Sequence, residues 1–224
     1  MHHQSGEFET DDGLSIYTEA WLPNHTPRAV VVIVHGYGEH IGRYMHVANE
    51  FEAHGYAVYG LDHRGHGNSE GLRVHVEHFD QFVQDLKRYI EQIKQEQPNR
   101  PIFLYGHSMG SAIALAYALT YPQDVAGLII SGSALTADEE VPAVVIKLSK
   151  LLSRLIPKVH LQPLDANLIS RDEDVVAAYN SDPLVVRKPF RIRLGAELLR
   201  TVQDIRQRLP ELKMPILIVH GSAD

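Results

Sequence analysis

Residues 101–115 set end to end a short apolar run, the pattern Gly-x-Ser-x-Gly from Gly106 to Gly110, and a stretch of small and apolar residues. This order describes a β-strand that turns sharply into a helix with a serine at the bend. In so tight a turn, side chains two positions on either side of the serine would collide with the strand and the helix, and Gly106 and Gly110 remove them. Ser108 is then held in a strained conformation at a helix N-terminus, where unpaired N–H groups and the helix dipole favour negative charge on a nearby oxygen. Such a hydroxyl is the candidate nucleophile for acyl transfer.

The rest of the chain supplies a sheet for this turn. Residues 29–34 are apolar throughout, as expected of a strand covered on both faces of a parallel sheet. Further short strands are expected at 56–61, 102–105, 128–131 and 216–219, and the alternating stretch 14–21 reads as an exposed or edge strand. Between them lie helical stripes. Phe79, Phe82, Val83, Leu86, Ile90 and Ile93 recur at three and four, with Pro98 just beyond; Tyr44, Val47, Ala48 and Phe51 form another, closed by Gly55. Leu194, Leu198, Leu199, Val202 and Ile205 form a third. The rhythm changes after Ser133, where 141–161 is helical in pattern and the acidic stretch Arg171, Asp172, Glu173, Asp174 follows. The expected architecture is α/β, a mostly parallel sheet with helices on both faces: a core over 1–133, a cap or lid over 134–189, and the core again over 190–224.

At 224 residues the chain suits one large domain, or one domain with an insertion. It has no cysteine, which excludes disulfides, thiolate metal sites and a cysteine nucleophile. The net charge of −7 disfavours a nucleic-acid partner. No uninterrupted apolar run approaches the roughly 20 residues that span a bilayer. The first residues lack the basic start and apolar stretch of a signal peptide, so the expected location is the cytoplasm.

A second segment supports acyl chemistry. His35, Gly36, Tyr37, Gly38, Glu39 and His40 follow directly on the strongest strand, and glycines there let the backbone approach a ligand closely. An N–H from this loop, with that of the residue after the nucleophile, would bind the oxyanion; these are the amides of Tyr37 and Met109. A serine needs a base, and the base needs an acid to orient it. Asp224 lies just past the carboxyl end of the last strand, where ligand sites of parallel sheets form, and is the candidate acid. The order serine, acid, histidine would put the base after Asp224, and all fourteen histidines come earlier. The expectation is therefore of a chain cut short of its base and impaired in turnover.

Two further segments have readings other than catalysis. Asp62, His63, Arg64, Gly65, His66, Gly67, Asn68, Ser69, Glu70 and Gly71 are dense in potential metal ligands, but the glycine punctuation reads as a hydrogen-bonded loop. Val144, Leu148, Leu151, Leu152 and Leu155 form an apolar face flanked by Lys147, Lys150, Arg154 and Lys158. That pattern suits a lid touching a lipid surface, and equally a cap helix packed over the site.

With these segments in view, the sequence resembles the monoacylglycerol lipase family of serine hydrolases, including its lysophospholipase-like members, in the α/β-hydrolase fold. The resemblance runs from about Phe8 to Asp224. It is carried by the six residues from His35 with Gly42, Arg43 and Tyr44, by Asp62 to Gly71, by Gly106 to Gly110, by Tyr179, Asn180, Ser181, Asp182, Pro183 and Leu184, and by Gly221 to Asp224. It implies a serine carboxylic ester hydrolase without metal or cofactor, with Ser108 as nucleophile, Asp224 as triad acid, Tyr37 and Met109 as oxyanion donors, and a small lipid ester as substrate. A general esterase, thioesterase or lysophospholipase shares the same chemistry, and a non-catalytic binding protein of the same fold is the alternative outside enzymes. Ser111 stands where the family usually has glycine, a small change expected to be tolerated.

Overall fold

Val30–Val34 forms β3 and Ala57–Leu61 forms β4, and every side chain in both strands is buried. Continuous apolar character of this kind needs cover on both faces. In the computed structural model, which describes residues 2–136, 153, 155–159 and 169–222, helices provide it. Seven strands hydrogen-bond in the order β1-β2-β4-β3-β5-β6-β7, where β1 is His2–Glu9, β2 Ser15–Leu22, β5 Ile102–His107, β6 Gly127–Ser131 and β7 Ile216–Val219. The pairs β1/β2 and β2/β4 are antiparallel, and β4/β3, β3/β5, β5/β6 and β6/β7 are parallel. The expected α/β class and mostly parallel sheet are what the chain forms.

Five helices follow in chain order among the described residues: α1 Met45–Ala53, α2 Asp80–Glu96, α3 Met109–Thr120, α4 Glu173–Ser181 and α5 Ile192–Arg208. Alternation along the strands sends successive side chains to opposite faces. Val30, Val32 and Val34 join the large core with α2, α3 and α5, while Ile33 joins the smaller core of Trp21, Ile41, Tyr44, Ala48 and Val58. α3 packs between α2 and α5, so ten of its twelve residues are buried and it shows no polar face. α2 and α5 keep the stripes expected of them.

The expected boundaries move in places for physical reasons. The stripe from Tyr44 divides into a 3-10 turn, Ile41–Tyr44, and α1 proper. The acidic stretch is a helix start: the Asp172 side chain accepts the Asp174 N–H and opens α4. β7 has all four side chains exposed and pairs with β6 alone among the described strands. β1 has no counterpart in the expected strands. Of the proposed cap, 137–152, 154 and 160–168 lie outside the described residues, and so does nearly all of the expected lid helix. Among the described residues no helix is long and apolar enough to cross a membrane.

Candidate active site

The elbow forms where the sequence puts it, between β5 and α3. The register pairs Gly106 with Val34 of β3 and His107 with Ser131 of β6, so Ser108 emerges at the carboxyl end of the sheet between two neighbouring strands. Crevices at that end are where α/β sheets bind ligands. Ser108 has φ 50° and ψ −120°, a conformation costly for a residue with a Cβ. The strain is held in place by hydrogen bonds. The Ser108 N–H donates to Ser131 O at 3.1 Å, and the Ser108 carbonyl accepts the Ser111 N–H at 2.9 Å. Both glycines are required by close approach. A Cβ on Gly106 would stand 2.7 Å from Gly110 O, and one on Gly110 would stand 2.0 Å from Val34 O, both backbone atoms.

Ser111 does more than fit. Its hydroxyl donates to Ser108 O, accepts the Ala134 N–H at 3.2 Å and lies 3.4 Å from Ser133 Oγ. The residue that the sequence marked only as a tolerated departure thus ties the elbow to the start of the region after β6. The signal was a hydroxyl one turn after the nucleophile, where it can reach back to the carbonyl at i−3.

The loop after β3 lies directly against the nucleophile: a Cβ on Gly36 would be 3.3 Å from Ser108 Cβ. Met109, the first residue of α3, and Tyr37 are both buried. Gly36 is therefore the loop residue shown against Ser108, with Tyr37 next to it in the chain as Met109 is next to the nucleophile. Asp224 lies outside the described residues. Behind the loop, Glu39 accepts the Tyr44 hydroxyl at 3.0 Å and Arg43 Nε at 3.2 Å. Burial holds the Tyr44 phenol well above its ordinary value, so it remains a donor.

Three buried histidines, His35, His63 and His66, are committed to structure. His35 Nε2 accepts the His63 N–H at 3.0 Å and its Nδ1–H donates to Gly36 O at 2.8 Å, which defines a neutral ring with both nitrogens used. His63 Nε2 donates to His35 O and His66 Nδ1 to Arg64 O. Burial pushes His63 down to about 3 and His66 down to about 4, and His35 well below its ordinary value. The Asp62 carboxylate accepts the N–H groups of Ile41 and Asn68, both at 2.7 Å, and Arg64 forks onto Asp85 and Asp12. The Asp62 to Gly71 segment is the hydrogen-bonded loop that its glycines suggested.

The segment from Tyr179 to Leu184 carries no physical pattern of its own in the sequence. The structure lays residues 179–190 antiparallel along the loop. Tyr179 faces the Arg43 guanidinium at 4.9 Å, Asp182 accepts His40 Nε2 at 2.8 Å, Val186 N–H donates to Gly38 O at 2.8 Å, and Lys188 O accepts the Tyr37 hydroxyl at 2.8 Å. The Phe190 ring stacks on Tyr37 with centroids 3.7 Å apart.

Comparison with known proteins agrees with this geometry. The serine aminopeptidase S33 family profile matches residues 25–224. A monoacylglycerol lipase of Mycolicibacterium smegmatis is 41% identical over 212 residues, 95% of this chain and 76% of that protein. Human monoglyceride lipase is 37% identical over 214 residues, 95% of this chain and 71% of that protein. The crystal structure of a monoacylglycerol lipase from Paleococcus ferrophilus superposes with a TM-score of 0.79 at 30% identity, covering 99% of this chain and 78% of that one. Likeness in sequence and in fold each covers nearly the whole chain, which belongs to the monoacylglycerol lipase family of α/β-hydrolases.

Proposed function

We propose that the protein hydrolyses monoacylglycerols to fatty acid and glycerol through an acyl-enzyme on Ser108. The observation that carries this reading is the strained Ser108 at the N-terminus of α3 with Gly36 of the glycine-rich loop against it. In the reaction the Ser108 Oγ attacks the ester carbonyl carbon while its proton passes to an imidazole, a part for which no histidine of this sequence is assigned. The carbonyl oxygen becomes an oxyanion, which accepts the N–H groups of Tyr37 and Met109. Collapse breaks the bond to glycerol, whose oxygen takes the proton from the imidazolium. Water then adds to the acyl carbon with the same proton traffic, and the carboxylate leaves with Ser108 restored. Asp224 is assigned the part of orienting the imidazole. Both ring nitrogens of His35 are occupied, so this neighbour is unsuited to the part of base.

Exposed Leu155, Ile156 and Val159 beside Lys158 support contact between the edge of the cap and the lipid phase that holds such substrates. The test uses a medium-chain monoacylglycerol and a fluorophosphonate probe on the chain and on Ser108→Ala. Labelling at Ser108 that disappears with the hydroxyl is the expected result, with turnover low, as expected where no histidine follows Asp224. A Ser108 that labels no more than the Ser108→Ala variant overturns the reading in favour of a binding protein.

A further inference from the structure

Tyr37 enters the proposed reaction through its backbone alone, and yet its side chain is engaged on both ring and hydroxyl. The ring is 8% exposed, stacks on Phe190 with an interplanar angle of 23°, and meets the edge of the His66 ring at 6.1 Å. Its hydroxyl donates to Lys188 O across 151 residues of chain. Neighbouring contacts run in order along the same seam, from Gly38 with Val186 to His40 with Asp182 and Arg43 with Tyr179. Gly38 has φ +71°, and a Cβ there would stand 2.7 Å from Val186 O, so the two backbones touch. A loop rich in glycine has little stiffness of its own. What fixes it on the outer side is residues 179–190, the stretch that leads from the cap back into the core.

We propose that the Tyr37 side chain is a positioning group: gripped by Phe190 and the Lys188 carbonyl, it makes the placement of the Tyr37 amide depend on how residues 179–190 are seated. The inference rests on the reading that this amide binds the oxyanion. Displacing the segment would then withdraw or misdirect a donor without touching Ser108. Loss of such a donor outright costs on the order of 100- to 1,000-fold in turnover, and a small displacement costs part of that. The seam also gives the cap a mechanical route to the reaction, since whatever moves the exit of the cap moves the donor.

The test compares the chain with Phe190→Ala, Phe190→Trp and Tyr37→Phe by hydrogen exchange of residues 35–43 and by steady-state ester hydrolysis. In Phe190→Ala the loop amides should exchange about 10-fold faster while β3 and β5 stay protected, as expected of a local opening. The kcat should fall about 10-fold with KM within about twofold, the mark of a contact realised in the transition state. Phe190→Trp, which keeps a flat ring, should restore both, and Tyr37→Phe, which loses only the hydroxyl, should fall between. Unchanged loop exchange in both Phe190→Ala and Tyr37→Phe overturns the clamp, as does rescue of kcat without rescue of exchange. If Phe190→Ala loses its cooperative melt, Tyr37→Phe decides alone. Where the unsubstituted chain turns over too slowly to read, as expected without a histidine after Asp224, the exchange arm decides the clamp, and failure of Ser108 to label is what counts against the hydrolase reading.

Discussion

A serine at φ 50° persists only while its surroundings leave it no other choice, and the atoms that enforce this are nearly all backbone. Because Val34 O lies where a Cβ on Gly110 would go, the clash in Gly110→Ala has no flexible side chain to absorb it. Gly110→Ala should cost about 3 kcal/mol or more, above the usual range for overpacking, read as a lower denaturation midpoint or failure to fold. Ser111→Ala should cost about 1 kcal/mol, the usual net worth of a buried hydroxyl bond, and lower turnover by loosening the Ser108 carbonyl. A loss of turnover in Ser111→Ala that matches only the fraction unfolded would remove the second effect. The elbow was legible because its rule is steric and spans five residues. The partners of Tyr37 were not, because a ring in a loop carries no mark of a carbonyl 151 residues away. The acid assigned to position 224 rests on motif and order alone.

At the scale of elements, strands and helices with a buried side were legible and those held by backbone pairing were not. β7 was found at 216–219 from its apolar run, but its exposure depends on sheet order, which no local pattern states. β1 reads His, His, Gln, Ser, Gly, Glu, Phe, Glu with only Phe8 buried, and it is a strand because β2 offers it a complete antiparallel ladder. The join between these outer strands and the core depends on Arg64. Its guanidinium, nearly buried, meets Asp85 of α2 at 2.6 and 2.7 Å and Asp12 of the β1–β2 turn at 2.8 and 3.0 Å. Those hydrogen bonds from Arg64 hold Asp12 down to about 2. Arg64→Ala would leave the Asp85 carboxylate buried without its partner and should cost about 3–5 kcal/mol. Arg64→Lys, unable to fork onto two carboxylates, should recover only part of that. Chemical denaturation of both variants measures this, and a lysine variant as stable as the parent would show that charge alone suffices.

Across the whole molecule, the neutral histidines packed under the active-site loop should make stability depend on pH. His35, His63 and His66 are buried with ring centroids 4.1 to 6.1 Å apart, and no carboxylate hydrogen-bonds to any of them in the described structure. In the unfolded chain each takes a proton near its ordinary value of 6.5; folded, His66 does so only at about 4 and His63 at about 3. Between those limits the unfolded state holds more protons, so stability is full above 6.5 and falls as the solution is acidified. Each such histidine contributes a slope approaching about 1.4 kcal/mol per pH unit within the window. Asp62 and Asp85, raised by burial, have the opposite sign: folded, they take protons before the unfolded chain does, and between their raised values and 3.8 they offset part of the histidine effect. Urea midpoints at pH 7, 6 and 5 should therefore decline steadily, and His66→Phe, which keeps a ring among its neighbours Tyr37 and Phe82, should decline about one-third less steeply. A midpoint that stays level from pH 7 to 5 would mean that the buried rings already carry protons in the folded chain, and the neutral tautomers assigned from their hydrogen bonds would have to be abandoned.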